Sequence, residues 1–96
     1  MLFEWDLEKE KENYRKHGIY FDAAANAFSD PQRMERIDLD SFGEQRWQTL
    51  GFFGGVLFVV YTERGEKTRI ISARSAEPFE RRIYYENSEL HGWQRI

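Results

Sequence analysis

Residues 56 to 61 read VLFVVY, six apolar or aromatic side chains with no polar alternation, and this run limits the fold more than any other feature of the chain. Successive side chains of a strand point to opposite faces, so such a run belongs to a central strand covered on both sides. The Gly54-Gly55 pair before it suits the positive φ values of a two-residue hairpin turn, joining residues 45 to 53 (QRWQTLGFF) to residues 56 to 63. A second hairpin turns at Arg64-Gly65-Glu66 and returns through residues 67 to 75 (KTRIISARS). Residues 33 to 38 (RMERID) are polar enough for an edge strand, and Asp40-Ser41-Phe42-Gly43 is a loop.

Helices bracket these strands. Asp6 is a good N-cap and Gly18 a good C-terminal stop, so residues 6 to 17 form a first helix with a thin apolar stripe of Leu7 and Tyr14. Phe21, Ala24, Ala25 and Phe28 follow at i, i+3, i+4 and i+7, the spacing of one face of a second helix, which Asp30-Pro31 ends. Pro78 fits the first turn of a last helix over residues 77 to 87, carrying Phe79 and Ile83 inward with Tyr84 as a further candidate. Phe3, Trp5 and Phe52 read as core. The tail, residues 88 to 96, contains Trp93 and Ile96 but shows no periodicity. The expected fold class is α+β: two N-terminal helices, a four-stranded antiparallel sheet and a C-terminal helix. Residues 1 to 87 then make one domain, followed by a tail of unassigned role.

Size and composition fit that plan. A chain of 96 residues is one domain, with an expected radius of gyration of about 12 to 13 Å. It has no Cys, which excludes a disulfide scaffold, a Cys-ligated zinc site and cysteine catalysis, so stability must come from the 17 % of residues that are aromatic. The start has no signal-peptide pattern and the longest apolar run is far too short to span a membrane, so the expected location is the cytoplasm.

The net charge of -3 argues against bulk attraction to nucleic acid, yet its distribution is uneven. Residues 1 to 30 carry 4 bases and 7 acids, whereas residues 61 to 86 carry 6 and 5. Strict period two along residues 67 to 75 puts Lys67, Arg69, Ile71 and Ala73 on one face and Thr68, Ile70, Ser72 and Arg74 on the other. A guanidinium beside apolar groups needs a partner, either a carboxylate or a ligand. Arg81-Arg82 among Glu77, Glu80 and Glu86 reads as a solvated helix face, and Lys16-His17 complements the helix dipole. His17 is also a candidate acid or base, whereas His91, in the tail, reads as incidental.

Several strings in order point to one family. Phe3-Glu4-Trp5-Asp6, Asn13, Arg15-Lys16-His17-Gly18, Phe21 with Ala24 and Phe28, and Asp30-Pro31 come first. Gly43-Glu44 with Arg46, Gly51, Tyr61-Thr62-Glu63-Arg64-Gly65 and Arg69-Ile70-Ile71-Ser72-Ala73-Arg74 complete the set, which resembles the BrnT toxins over roughly residues 2 to 86. Leu7, Tyr20 and Gln45 depart from residues frequent in that family.

The resemblance implies a RelE-like fold and a ribonuclease activity that arrests translation. It also implies a BrnA-like antitoxin whose ribbon-helix-helix domain binds operator DNA, so that the toxin reaches DNA only through its partner. Neither metal nor cofactor is expected. Metal-independent RNA cleavage needs a base for the ribose 2′-OH, a cation for the phosphorus oxygens and an acid for the leaving 5′-oxygen. On the resemblance and the clustering of Arg with carboxylates, Arg64, Arg69 and Arg74 are the phosphate cations, Glu44 or Glu63 the base, and His17 or Tyr84 the acid. Lys16, Arg46 and Lys67 would hold the RNA backbone. The alternative is a non-catalytic RelE-like module that docks an antitoxin or another protein through the same side chains.

Overall fold

The computed structural model describes residues 1–40 and 42–96, with a radius of gyration of 12.5 Å. Its elements in chain order are β1 (Leu2–Glu4), α1 (Leu7–His17), α2 (Phe21–Ala27), β2 (Met34–Asp38), β3 (Arg46–Phe52), β4 (Val56–Arg64), β5 (Lys67–Ser75), α3 (Pro78–Glu86), a short 3₁₀ turn (Leu90–Gly92) and β6 (Gln94–Arg95). The strands form a six-stranded sheet in the order β1-β5-β4-β3-β2-β6. The fold is α+β as expected, but the sheet is mixed rather than four-stranded and antiparallel. The strand β1 adds in parallel to β5, and β6 adds antiparallel to β2 over Met34 and Glu35. Both are too short for any alternation to show in sequence. The outer flank of β2 is therefore partly covered, not the plain edge its polarity suggested. Ser41, in the expected loop after β2, lies outside the described residues.

The run at the centre of β4 is buried on both faces. Leu57 and Val59 join Phe21, Ala24, Ala27 and Ala73 under α1 and α2, while Val56 and Phe58 join Met34, Leu50, Ile83 and Trp93 under α3 and the tail. The α2 face of the sheet requires Gly51, because a Cβ there would lie 2.5 Å from the Ala27 carbonyl oxygen. Turn lengths are exchanged relative to expectation. Phe52 pairs with Val56, so the Gly-Gly hairpin has a three-residue connection, and it is Gly65-Glu66 that forms the two-residue turn between the paired Arg64 and Lys67. Gly65 takes φ +60 at the first turn position, where a type II′ turn places glycine.

Asp6 caps α1 by accepting from the Glu8 and Lys9 amides at 2.8 and 3.0 Å, and Gly18 closes it at φ +70. The expected stripe is absent: Leu7 is 66 % exposed and Tyr14 43 %. A polar anchor replaces it. The Asn13 amide donates to the Ala73 carbonyl at 2.8 Å and accepts from the Ala73 N–H at 3.1 Å, pairing with β5 as a neighbouring strand would. Phe79 and Phe52 are also largely exposed, while Glu80 is buried in α3 beside Ile83 and Tyr84. Phe3 and Trp5 pack against the α2 cluster.

Asp30 ties three elements together. Its carboxylate accepts from the Gln32 amide at 2.8 Å, from the Phe52 amide at 2.8 Å and from the Tyr84 hydroxyl at 2.5 Å. Burial works to raise its pKa, but the Tyr84 hydroxyl and the two amides outweigh it and leave the carboxyl below its ordinary 3.8. A folded-state pKa below the unfolded one adds stability at neutral pH that is lost as the pH falls through it. Asp30→Asn is expected to cost about 1 to 2 kcal/mol at pH 7 in urea denaturation. The gap to the parent should narrow below about pH 4 as the parent protonates, and a pH-independent gap would rule out this origin.

Candidate functional site

A bulge in β5 decides where the basic side chains go. Val60 pairs with Ser72 and Tyr61 with Ile70, which leaves Ile71 without a partner and reverses the face parity of the residues after it. Ile70 and Ala73 accordingly share the α2 face, and the Arg74 guanidinium stacks 4.2 Å over Phe58 on the opposite one. Strict alternation had separated Arg69 from Arg74. The bulge puts both on the face shared with α3.

The register orders that face into rows. One runs Glu4, Arg69, Thr62, Arg46, Asp38 from β1 to β2, and the next runs Ser72, Val60, Gln48, Arg36. A third, Arg74, Phe58, Leu50, Met34, lies beneath α3 and Trp93. At the opposite end Lys67 pairs with Arg64. The side chains of the first two rows are half-exposed apart from Thr62, which is buried. Arg69 and Arg46, two strands apart, are separated by about 10 Å.

Most of these cations already hold something. Arg69 donates to Glu4 at 2.6 Å, and Arg64 donates to Glu44 at 3.0 Å. Arg74 makes two hydrogen bonds to the buried Glu80 at 2.8 and 3.0 Å, and that pairing holds its pKa above the usual arginine value. Arg36 donates to Gln48 at 2.7 Å and to the His91 carbonyl at 2.9 Å, with its guanidinium 4.6 Å over Trp93. Arg46 and Lys67 have no side-chain hydrogen bond or ion pair among the described residues.

The remaining sequence candidates lie elsewhere. Glu63 is on the α2 face, near the Thr68 hydroxyl at 3.5 Å. Lys16 and His17 end α1 and border a groove of about 210 Å³ that reaches over the β5 edge to Ile71 and Ser72. Tyr84 is 7 % exposed, and burial together with its bond to Asp30 raises its pKa. Arg36 and Gln48 were not singled out in the sequence. Period two aligns Arg36 with Asp38 in β2 and Gln48 with Arg46 in β3, but only the pairing register brings all four side chains to one face.

The α2 side of the sheet holds a second polar group, one that fixes the register of β2. Arg33, 7 % exposed, donates to Glu35 at 3.2 Å and to the Thr49 hydroxyl at 3.1 Å, and the Tyr61 hydroxyl donates to the same Glu35. Its members satisfy one another, which suits a structural role.

Residues 5–80 match the model of a family described as the ribonuclease toxin BrnT of type II toxin-antitoxin systems. Among solved structures the chain is similar to the Brucella abortus ribonuclease toxin BrnT, with 24 % identity and a TM-score of 0.59 over 80 % of this chain and 99 % of that one. At that identity the likeness speaks for the fold. No curated protein matches.

Proposed function

We infer the function of this chain from its family: it belongs to the BrnT ribonuclease toxins of type II toxin-antitoxin systems. An RNA target and an antitoxin partner follow from that membership. We propose that the RNA lies across the arginine face, where it is cleaved without a metal ion. The observation that carries this reading is the bulge-dependent register, which gathers Arg46, Arg64, Lys67, Arg69 and Arg74 on one side of the sheet.

Arg46 is the leading phosphate ligand, since its fork of donors is uncommitted among the described residues. Arg69 and Arg64 can exchange their carboxylates for phosphate oxygens, and Lys67 adds charge at the rim. Arg74 shapes the floor through Glu80 and Phe58. Of the two candidate bases, Glu44 is held by Arg64 on this face, whereas Glu63 is on the other. Lys16 and His17 extend the basic track over the β5 edge. Tyr84, buried and bound to Asp30, holds its proton too firmly to serve readily as the acid. The antitoxin is of the BrnA type, with a ribbon-helix-helix domain that carries the complex to operator DNA.

Arg46→Ala is expected to cleave RNA with kcat/KM lowered about 100-fold, the scale of one lost transition-state contact. The assay is cleavage of a labelled RNA by the purified proteins in EDTA. Parent-like cleavage by the variant would remove Arg46 from the site. A docking module without chemistry draws on one observation, that Arg64, Arg69 and Arg74 already hold carboxylates. Under that reading the parent cleaves nothing.

A further inference from the structure

We propose that His91 is the general acid of this RNA-cleaving face, a role that rests on the ribonuclease reading above. It lies beyond residues 5–80, the stretch matched to the family. The fold nevertheless returns it to the sheet. His91 borders a groove of about 230 Å³ together with Arg36, Asp38, Asp40 and Gln48. Asp38 is the ladder partner of Arg46, so the groove opens from the row that carries the uncommitted arginine.

The position is built rather than incidental. Trp93, two residues on, is 1 % exposed, and Gln94 pairs with Glu35, which fixes the tail immediately after the turn. Arg36 holds the His91 carbonyl at 2.9 Å while stacking on Trp93. His91 itself sits at φ +60, a left-handed backbone that residues other than glycine rarely adopt. Its imidazole is exposed and makes no hydrogen bond among the described residues. The backbone is held while the ring stays free for a ligand. The charged groups that line the two grooves it borders are Glu35, Arg36, Asp38 and Asp40.

Among the described residues, the sheet side of this face holds no other imidazole. Imidazole is the side chain whose unperturbed titration falls nearest neutrality, and the chain has two histidines. His17 borders a groove at the β5 edge of the sheet, whereas His91 stands on the β2 side beside Arg36, Gln48 and Asp38. In the step assigned to it, the base removes the 2′-OH proton as the 2′-oxygen bonds to phosphorus. The bond from phosphorus to the 5′-oxygen breaks, and the His91 imidazolium gives its proton to that oxygen. The products are a 2′,3′-cyclic phosphate and a free 5′-hydroxyl, and His91 is reprotonated from solvent.

The test compares the parent with His91→Asn on a labelled RNA oligonucleotide in EDTA from about pH 5 to pH 9. Asparagine tolerates the left-handed backbone, so the fold is kept while proton transfer is lost. The expected result is kcat lowered about 100-fold with KM little changed, the scale of general acid catalysis. The fall of kcat on the alkaline side, present in the parent, should disappear, and added imidazole should restore part of the rate. A variant that keeps the parent's rate overturns the proposal. So does one whose loss of rate leaves the pH profile unchanged in shape, because that marks a structural role. With an active parent either outcome leaves the ribonuclease reading standing, whereas a parent that cleaves no RNA removes both.

Discussion

Replacing Trp93 with alanine is expected to lower the stability of the fold by about 3 to 5 kcal/mol, the usual cost of emptying a large aromatic site. Trp93 is 1 % exposed and packs edge-on against Phe58 with ring centroids 6.4 Å apart, in the cluster that includes Met34, Leu50 and Ile83. It also floors the Arg36 guanidinium, so the loss reaches the second row of the arginine face. A domain of this size has about 5 to 15 kcal/mol to lose, which leaves the variant close to unfolding. Trp93→Phe should be much milder. The indole N–H is buried without a hydrogen-bond partner among the described residues, so phenylalanine gives up volume but none of those polar contacts. Urea denaturation followed by circular dichroism measures both. A loss below about 1 kcal/mol for the alanine variant would show that the tail is not part of the core.

Arg74→Ala is expected to cost about 3 to 5 kcal/mol for a different reason, the stranding of a buried charge. The Glu80 side chain is only 4 % exposed, and Arg74 supplies two of its hydrogen bonds, the third coming from the Glu77 amide at 2.8 Å. Without the guanidinium the carboxylate must ionise in a poor solvent or take up a proton. Arg74→Ala with Glu80→Leu should recover much of the loss, because removing both members of a buried pair costs less than removing one. Equal stability of the single and double variants would refute this account. The same pair cautions against reading activity alone, since an inactive Arg74→Ala protein could have lost its fold rather than a phosphate ligand.

How far the sequence revealed all this depended on the range of each interaction. The Asp6 cap, the Gly18 stop, the second-helix stripe and the three long strands are local patterns, and each was legible. The strand β6 is two residues long, and what holds it is Trp93, whose burial no periodicity could announce. Asn13 looked like an ordinary polar residue because its partner, Ala73, is 60 positions away. The cationic residues of the site could be named from composition and resemblance. Their common face could not be read, because alternation counts by twos and the bulge at Ile71 breaks the count.

That unpaired residue gives β5 a sensitivity of another kind. Exchanges of one side chain for another within the strand act locally, each felt by its own neighbours. Pairing of the same residues without the bulge would invert everything downstream, carrying Ala73 out toward water and Arg74 into the apolar layer beneath α2. Five steps separate the two arginines, an odd count, so they share a face only while Ile71 stands off the ladder, and the device to protect is the bulge itself.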